Sequence, residues 1–94
     1  MKIVARKEIE ISEKRLARKF YREFCKFYRE HPGYHDDMME AYRYFCAMDL
    51  CGFAEAAVDQ VLGDMVCDYS DVNELANMIE DRCEDIILKE GVIL

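Results

Sequence analysis

The sequence predicts an all-α protein: a compact bundle of about four helices in a single domain over residues 1–94, with a short strand-like N-terminal segment. Three observations lead to this prediction. The chain is 52% hydrophobic and 12% aromatic, which is typical of a folded domain. It contains one Pro and four Gly, so few residues interrupt long helices. Apolar residues recur at helical spacing in four successive stretches.

The first predicted helix begins after Ser12, a residue type that caps helix N-termini well. It runs to about Glu30, because Pro32 disfavours helical geometry at His31 and Gly33 completes the break. One broad face of this helix is apolar. Its members are Leu16, Ala17, Phe20, Tyr21, Phe24, Phe27 and Tyr28.

The second predicted helix runs from about Asp36, its expected N-cap, to Cys51. We expect Gly52 to end it in a left-handed conformation. Apolar residues surround the axis of this helix, which predicts that it is buried in the middle of the domain.

The third predicted helix spans about Phe53 to Cys67, with Val61 on its apolar face. Gly63 either is tolerated on the polar side of this helix or divides it in two. The fourth begins at Asp71, which forms a capping box with Glu74. Gly91 ends it, and its apolar stripe contains Val72, Leu75, Ala76, Ile79, Cys83, Ile86 and Ile87.

The N-terminal segment from Ile3 to Ile11 alternates apolar and polar residues, as a strand does. It has two expected partners: the β-branched tail Val92-Ile93-Leu94, or a second copy of the chain. Tyr21 is expected to be exposed. The sequence thus leaves monomer and homodimer equally open.

Charge is divided unevenly along the chain. Residues 1–33 carry ten Lys and Arg against five Asp and Glu, a net charge of +5, whereas residues 34–94 carry three against fifteen, a net charge of −12. This division predicts a basic outer face on the first helix and acidic faces on the third and fourth. The faces either pair within the bundle or point apart.

The leading functional hypothesis concerns the acidic faces. Spaced carboxylates are able to bind the basic surface of another protein, as nucleic-acid mimics do, with fast and salt-sensitive association. Leu88 and Met78 fall outside the apolar stripe and suit a contact surface. The sequence therefore predicts a protein interaction module, an inhibitor or adaptor, whose partner-binding residues are Asp59, Asp64, Asp68, Glu74, Glu80, Asp81, Glu84 and Asp85.

The alternative hypothesis is a nucleic-acid-binding regulator. Seven cations flanked by Tyr and Phe on one helix are able to contact phosphates, although the net charge of −7 opposes long-range attraction of nucleic acid. The predicted nucleic-acid-binding residues are Lys14, Arg15, Arg18, Lys19, Arg22, Lys26 and Arg29.

Other polar residues favour structure over chemistry. Asp49 interrupts an apolar arc and is expected to be a buried carboxylate paired with Arg43, Arg82 or a Tyr hydroxyl. His31 and His35 flank a Pro-Gly break, which separates their side chains, so we predict no metal site. The sequence contains no phosphate-binding Gly loop and no catalytic motif, so we predict no cofactor and no enzymatic activity.

Cysteine usage predicts a reducing compartment. The five cysteines are an odd number, and no secretory signal is visible in residues 1–7, so we predict free thiols and a cytoplasmic protein. No apolar run has the length of a membrane span. Cys46 and Cys83 are expected to be buried, whereas Cys25 and Cys67 are expected to lie nearer solvent and to be the thiols open to oxidation.

Two resemblances bear on these hypotheses. A strand followed by helices over Ile3 to Cys51 resembles the ribbon–helix–helix DNA-binding dimers, which implies DNA binding by the strand. The chain departs from that pattern at Glu8 and Glu10, which are acidic where the family presents polar or basic side chains, and its first helix is longer. In size, net charge and lack of catalytic motifs, the chain is similar to small acidic helical proteins of phages and mobile elements, including anti-CRISPR inhibitors.

Overall fold

A computed structural model describes residues 2–4, 8–34, 36–62 and 69–92 of the chain. The fold is all-α in its main architecture, as predicted. The helices are α1 (Glu13–Glu30), α2 (Met38–Phe45), α3 (Cys51–Leu62) and α4 (Tyr69–Glu90). A π-helical turn, Cys46–Leu50, joins α2 directly to α3. The described residues therefore form three helical rods rather than the four separate helices expected.

Helix α1 begins and ends where the sequence predicts. The Ser12 side chain accepts a hydrogen bond of 3.3 Å from the backbone N–H of Arg15, which satisfies one of the free donors at the helix start. After Glu30 the chain leaves the helix at His31, and Pro32–Tyr34 form a short 3₁₀ turn.

The predicted break at Gly52 is wrong, because the chain runs through it as one continuous helical rod from 38 to 62. Gly52 has no positive φ, and its position in the helix is exposed. The cost of a helical glycine is about 1 kcal/mol relative to Ala, which the packing of the two flanking helices offsets.

The π-helical turn explains a second difference from the prediction. Tyr42, Cys46, Leu50, Ala54 and Val58 are all buried at a strict spacing of four residues. In an uninterrupted α-helix, Val58 would lie about 160° around the axis from Tyr42. The extra residue in the π turn removes most of this drift and keeps the five side chains on one side. The middle rod is therefore buried on one side only, and Tyr44 and Met48 are exposed.

Three helix boundaries also differ from the prediction. Asp37, not Asp36, is the N-cap of α2, and its side chain accepts hydrogen bonds from the backbone N–H groups of Met39 and Glu40 at 3.1 Å. Helix α4 begins at Tyr69, so Asp71 lies in its first turn, where a negative charge is favourable. Cys51, the expected end of the second helix, is the first residue of α3.

Gly91 ends α4 as predicted. Its φ of 71° lies in the left-handed region, and its N–H donates to the Ile87 carbonyl at 2.8 Å. Gly63, Asp64, Cys67 and Asp68 lie outside the described residues.

The N-terminal segment differs from the single strand expected over Ile3 to Ile11. Lys2–Val4 (β1) and Glu8–Glu10 (β2) pair with each other as a short antiparallel hairpin, with Ile3 opposite Ile9. The two halves of the segment thus pair with each other. Ile93 and Leu94 of the C-terminal tail, the partner expected within the chain, lie outside the described residues. A ribbon–helix–helix arrangement, in which one strand pairs with a second chain, does not match this hairpin.

One apolar core lies among the three rods. Phe20 of α1 lies 5.0 Å from Phe45 and 5.2 Å from Phe53, whereas Phe24 lies 5.2 Å from Tyr42, measured between ring centroids. This order makes the middle rod antiparallel to α1. Helix α4 supplies the apolar stripe predicted for it, of which all residues except the half-buried Ile86 are buried.

Helices α1 and α4 run in the same direction, because Glu13 contacts Arg82 and Arg18 contacts Glu90.

Two buried tyrosines also join the rods. Each hydroxyl donates a hydrogen bond to a backbone carbonyl within α4 or just after it. The Tyr21 hydroxyl donates to Gly91 O at 2.6 Å, and the Tyr42 hydroxyl donates to Glu80 O at 2.8 Å. Tyr21 is 1% exposed, so the prediction of an exposed Tyr21 is wrong.

Within the described ranges, no helix has both the length and the apolar character to span a membrane.

Candidate interaction surfaces

The seven predicted basic residues share one side of α1, opposite the side that packs on the core. Six of them are exposed, and Arg18 is half-buried at the edge of the contact with α4. Because Phe20, Phe24 and Tyr28 occupy the buried side, the cations point away from the middle of the bundle. The structure brings together Lys14, Arg15, Arg18, Lys19, Arg22, Lys26 and Arg29 in one basic stripe.

The aromatic residues of α1 lie on the buried side of the helix, and the Arg18 guanidinium at the edge of the stripe lies 5.6 Å from the centre of the Tyr21 ring. Phe20, Tyr21, Phe24 and Tyr28 are buried, and Phe27 is half-buried against Phe45. The helix therefore separates cations and aromatic residues onto opposite sides, as the apolar and basic faces predicted from the periodicity of α1 require.

Two ion pairs cross from α1 to α4. Arg18 binds Glu90 with nitrogen–oxygen distances of 2.9 and 3.1 Å, which lowers the pKa of the Glu90 carboxyl and raises that of Arg18 through the shared hydrogen bond. Arg82 lies 3.4 Å from Glu13. All four side chains are at least one-fifth exposed, so these pairs contribute little to stability and mainly align the two helices.

A groove lies between the N-terminal half of α1 and the C-terminal half of α4. It has a volume of about 650 Å³, and Ala17 and Ile86 are its apolar lining residues. Lys14, Arg15, Arg18 and Arg22 line it from α1, and α4 adds Arg82 and Lys89.

The sequence does not predict that Arg82 and Lys89 join the basic residues of α1 in one groove. They are the only two cations of the fourth helix, and they lie seven residues apart, a spacing that places both on one helix face. This spacing indicates a small basic face on the fourth helix, but the sequence does not show that this face lies next to α1.

The predicted acidic residues divide between two locations. Glu74, Asp81 and Asp85 are exposed and share one stripe along α4, because they are separated by seven and four residues. Glu80 and Glu84 are half-buried beside the middle rod. Burial is the main cause of the raised pKa of the Cys46 thiol, and the negative charges of these two carboxylates raise it further. Asp59 is exposed on α3, and Asp64 and Asp68 lie outside the described residues.

Exposed apolar side chains accompany the acidic stripe. Leu88 is 66% exposed near the C-terminus of α4, and Tyr69 is 73% exposed at its N-terminus. Met78 is half-buried. We define the α4 acidic surface as Glu74, Asp81, Asp85 and Leu88.

The other polar residues singled out by sequence have structural explanations. Asp49 is exposed, so the expectation of a buried, paired carboxylate is wrong, and the π turn that contains Asp49 explains the change of side. His31 stacks on Phe27 at 4.4 Å, and its Nδ1–H donates to the Phe27 carbonyl at 2.8 Å. Among the described residues, no group of three or more His, Cys, Asp or Glu side chains is placed to hold a metal ion.

The thiols also differ from expectation at one position. Cys46 and Cys83 are buried as predicted, and burial raises their pKa values to about 11 and about 12. Cys25 is 6% exposed, so its predicted accessibility is wrong. Cys51 is an exposed free thiol, and Cys67 lies outside the described residues.

Comparison of this chain with protein-family models, with curated proteins and with solved structures finds no match.

Proposed function

We propose that this protein is a cytoplasmic interaction module, an inhibitor or adaptor, that binds a basic protein through the α4 acidic surface. The observation that carries the proposal is the juxtaposition of exposed carboxylates with the exposed Leu88 on one helix face. Carboxylates attract and orient a basic partner, and an apolar side chain among them gains contact area when the partner excludes water.

The spacing of the carboxylates supports a partner that recognises phosphates. At a rise of about 1.5 Å per residue, Asp81 and Asp85 lie about 6 Å apart along the helix axis, and Glu74 lies about 10 Å further along. A rigid helix thus presents negative charges in a fixed row, as a nucleic-acid strand does. This is the basis for proposing a nucleic-acid mimic of the kind found among phage and mobile-element inhibitors.

The experiment compares two variants of equal net charge. Glu74→Gln with Asp81→Asn neutralises two carboxylates on the α4 acidic surface, and Glu40→Gln with Glu55→Gln neutralises two exposed carboxylates on the middle rod. Affinity purification from host lysate is expected to recover a basic partner with the wild type and with the middle-rod variant, and to lose it with the α4 variant.

A third variant tests the apolar contact. Leu88→Ser is expected to weaken capture of the same partner without changing the melting temperature, because the side chain is already mostly exposed. Recovery of the same partners at the same yield by all variants, or of none by the wild type at low salt, contradicts the proposed function.

A further inference from the structure

The groove between α1 and α4 is a concentration of positive charge on an acidic protein. Of the described residues, six cations and two carboxylates line it, whereas the chain as a whole has a net charge of −7. The two carboxylates are Asp85 and Glu90, and Glu90 is engaged by Arg18. Neutralisation within the chain therefore accounts for only part of the positive charge.

The other five cations of the groove differ in their pairing. Arg82 is held by Glu13 at 3.4 Å. Among the described residues, the structure gives no ion pair to Lys14, Arg15, Arg22 or Lys89, although Asp85 lines the same groove. Like charges held this close repel one another, and a ligand carrying several negative charges relieves that repulsion.

The positive charge continues beyond the groove along α1. Lys19, Lys26 and Arg29 extend the row of exposed cations, so it stretches from Lys14 to Arg29. At a rise of about 1.5 Å per residue this distance is about 22 Å. A single small anion occupies only a fraction of such a row, whereas a chain of linked phosphates is able to contact all of it.

The lining of the groove distinguishes between kinds of nucleic acid. Proteins that bind single strands usually stack the unpaired bases on accessible aromatic side chains. Among the residues that the structure describes, no aromatic side chain lines this groove, and Phe20, Tyr21 and Phe24 in the adjacent turns of α1 are buried. Contacts from Lys and Arg to phosphates alone suit a duplex, whose bases remain stacked on each other.

We propose that the α1–α4 groove, together with the row of cations on α1, binds the phosphate backbone of duplex nucleic acid without reading its base sequence. This site adjoins the face proposed to bind a basic protein and shares Asp85 with it, whereas Glu74 and Asp81 of that face do not line the groove. The overall negative charge opposes attraction from a distance, so the binding is expected to be confined to low salt.

The test is fluorescence anisotropy of a labelled duplex titrated with the full chain at about 50 mM salt. Single replacements Lys89→Gln and Arg22→Gln are each expected to weaken binding by several-fold to about tenfold and to reduce the salt dependence by about one phosphate contact. Asp85→Asn is expected to tighten binding by a similar factor, because it removes a negative charge from the groove.

Arg43→Gln is the matched control, since Arg43 is an exposed cation on the middle rod. It is expected to bind like the wild type. All four side chains are exposed, so unchanged melting temperatures will show that each variant is folded. The Glu74→Gln, Asp81→Asn variant is expected to retain duplex binding, which separates this proposal from the proposed function.

Four results would overturn the inference. They are no saturable duplex binding at low salt, an unchanged affinity in Lys89→Gln, tighter binding of a single strand than of a duplex of equal length, and full competition by inorganic phosphate at a matched phosphate concentration.

Discussion

Tyr21 shows most clearly how a single residue ties the rods together. Its ring is buried at the edge of the apolar side of α1, and its hydroxyl reaches the carbonyl of Gly91 just beyond α4. The periodicity of α1 places Tyr21 at the margin of the apolar face. Whether Tyr21 is buried there depends on the end of α4, where Gly91 accepts its hydrogen bond. The sequence therefore predicts the helix correctly and the exposure of this side chain wrongly.

Tyr21→Phe removes this hydrogen bond and leaves the Gly91 carbonyl without its donor. The free energy of unfolding is expected to fall by about 1 kcal/mol in urea denaturation. Tyr69→Phe is the control, because Tyr69 is 73% exposed and its replacement is expected to leave stability unchanged. Equal stabilities for the two variants would show that the Tyr21 hydroxyl does not stabilise the fold.

Burial of a tyrosine hydroxyl and of two cysteine thiols makes the free energy of unfolding sensitive to alkaline pH. Burial raises the pKa of Tyr21 to about 12 from 10.0, and the pKa values of Cys46 and Cys83 to about 11 and about 12 from 9.0. Above pH 9 the unfolded chain therefore holds fewer protons than the folded chain, and stability falls as pH rises.

The free energy of unfolding is thus expected to decline steadily from about pH 9 to about pH 12. Urea denaturation at a series of pH values measures this decline, and Cys83→Ala is expected to make it shallower. A flat profile over that range would contradict the burial of these groups.

Thiol accessibility distinguishes Cys51 from the three buried cysteines. Reactivity follows the exposed thiolate, so in a Cys67→Ser background one thiol, Cys51, is expected to react rapidly with a thiol reagent in the native state. Cys51→Ser is expected to remove the fast phase. Two or more fast thiols would indicate that Cys25, Cys46 or Cys83 is accessible.

At the scale of elements, the π-helical turn decides which side of the middle rod is buried. A regular helix distributes the apolar residues of 38–50 around the axis, which leads to the expectation of a buried helix ended by Gly52. The single extra residue in Cys46–Leu50 instead keeps the buried residues on one side, and Tyr44 and Met48 are exposed on the other. The buried residues are Tyr42, Cys46, Leu50, Ala54 and Val58. Periodicity counted at 3.6 residues per turn does not detect such a local change, whereas the repeated spacing of four in the sequence is a signal for it.

Deletion of Ala47, an exposed residue of the π turn, is expected to be tolerated. The turn then becomes α-helical, and the buried residues on both sides keep their orientation. Deletion of Ala56, an exposed residue of α3, shifts Val58 by about 100° around the helix and is expected to abolish cooperative unfolding. Circular dichroism during thermal unfolding compares the two, and similar losses in both would contradict the role of the π turn.

At the scale of the whole molecule, the charge division along the sequence becomes a division between surfaces. The cations of α1 and the carboxylates of α4 meet at the groove, where Arg18 pairs with Glu90 and Asp85 is a lining residue, whereas Glu74 and Asp81 lie outside it. Arg82 of α4 and Glu13 of α1 form a pair in which the charges are exchanged between the two helices. The sequence predicts both charged faces from periodicity. It does not predict the groove, because that depends on the parallel packing of two helices that are far apart in the chain.

Nuclear magnetic resonance with a short lysine-rich peptide tests directly whether the α4 acidic surface recruits basic partners. We predict that the peptide shifts the amide signals of Glu74, Asp81, Asp85 and Leu88, and that the shifts disappear in the Glu74→Gln, Asp81→Asn variant but persist in the Glu40→Gln, Glu55→Gln variant. Shifts centred on Glu40 and Glu55, or an equal loss of shifts in both variants, would contradict the assignment of α4 as the binding surface.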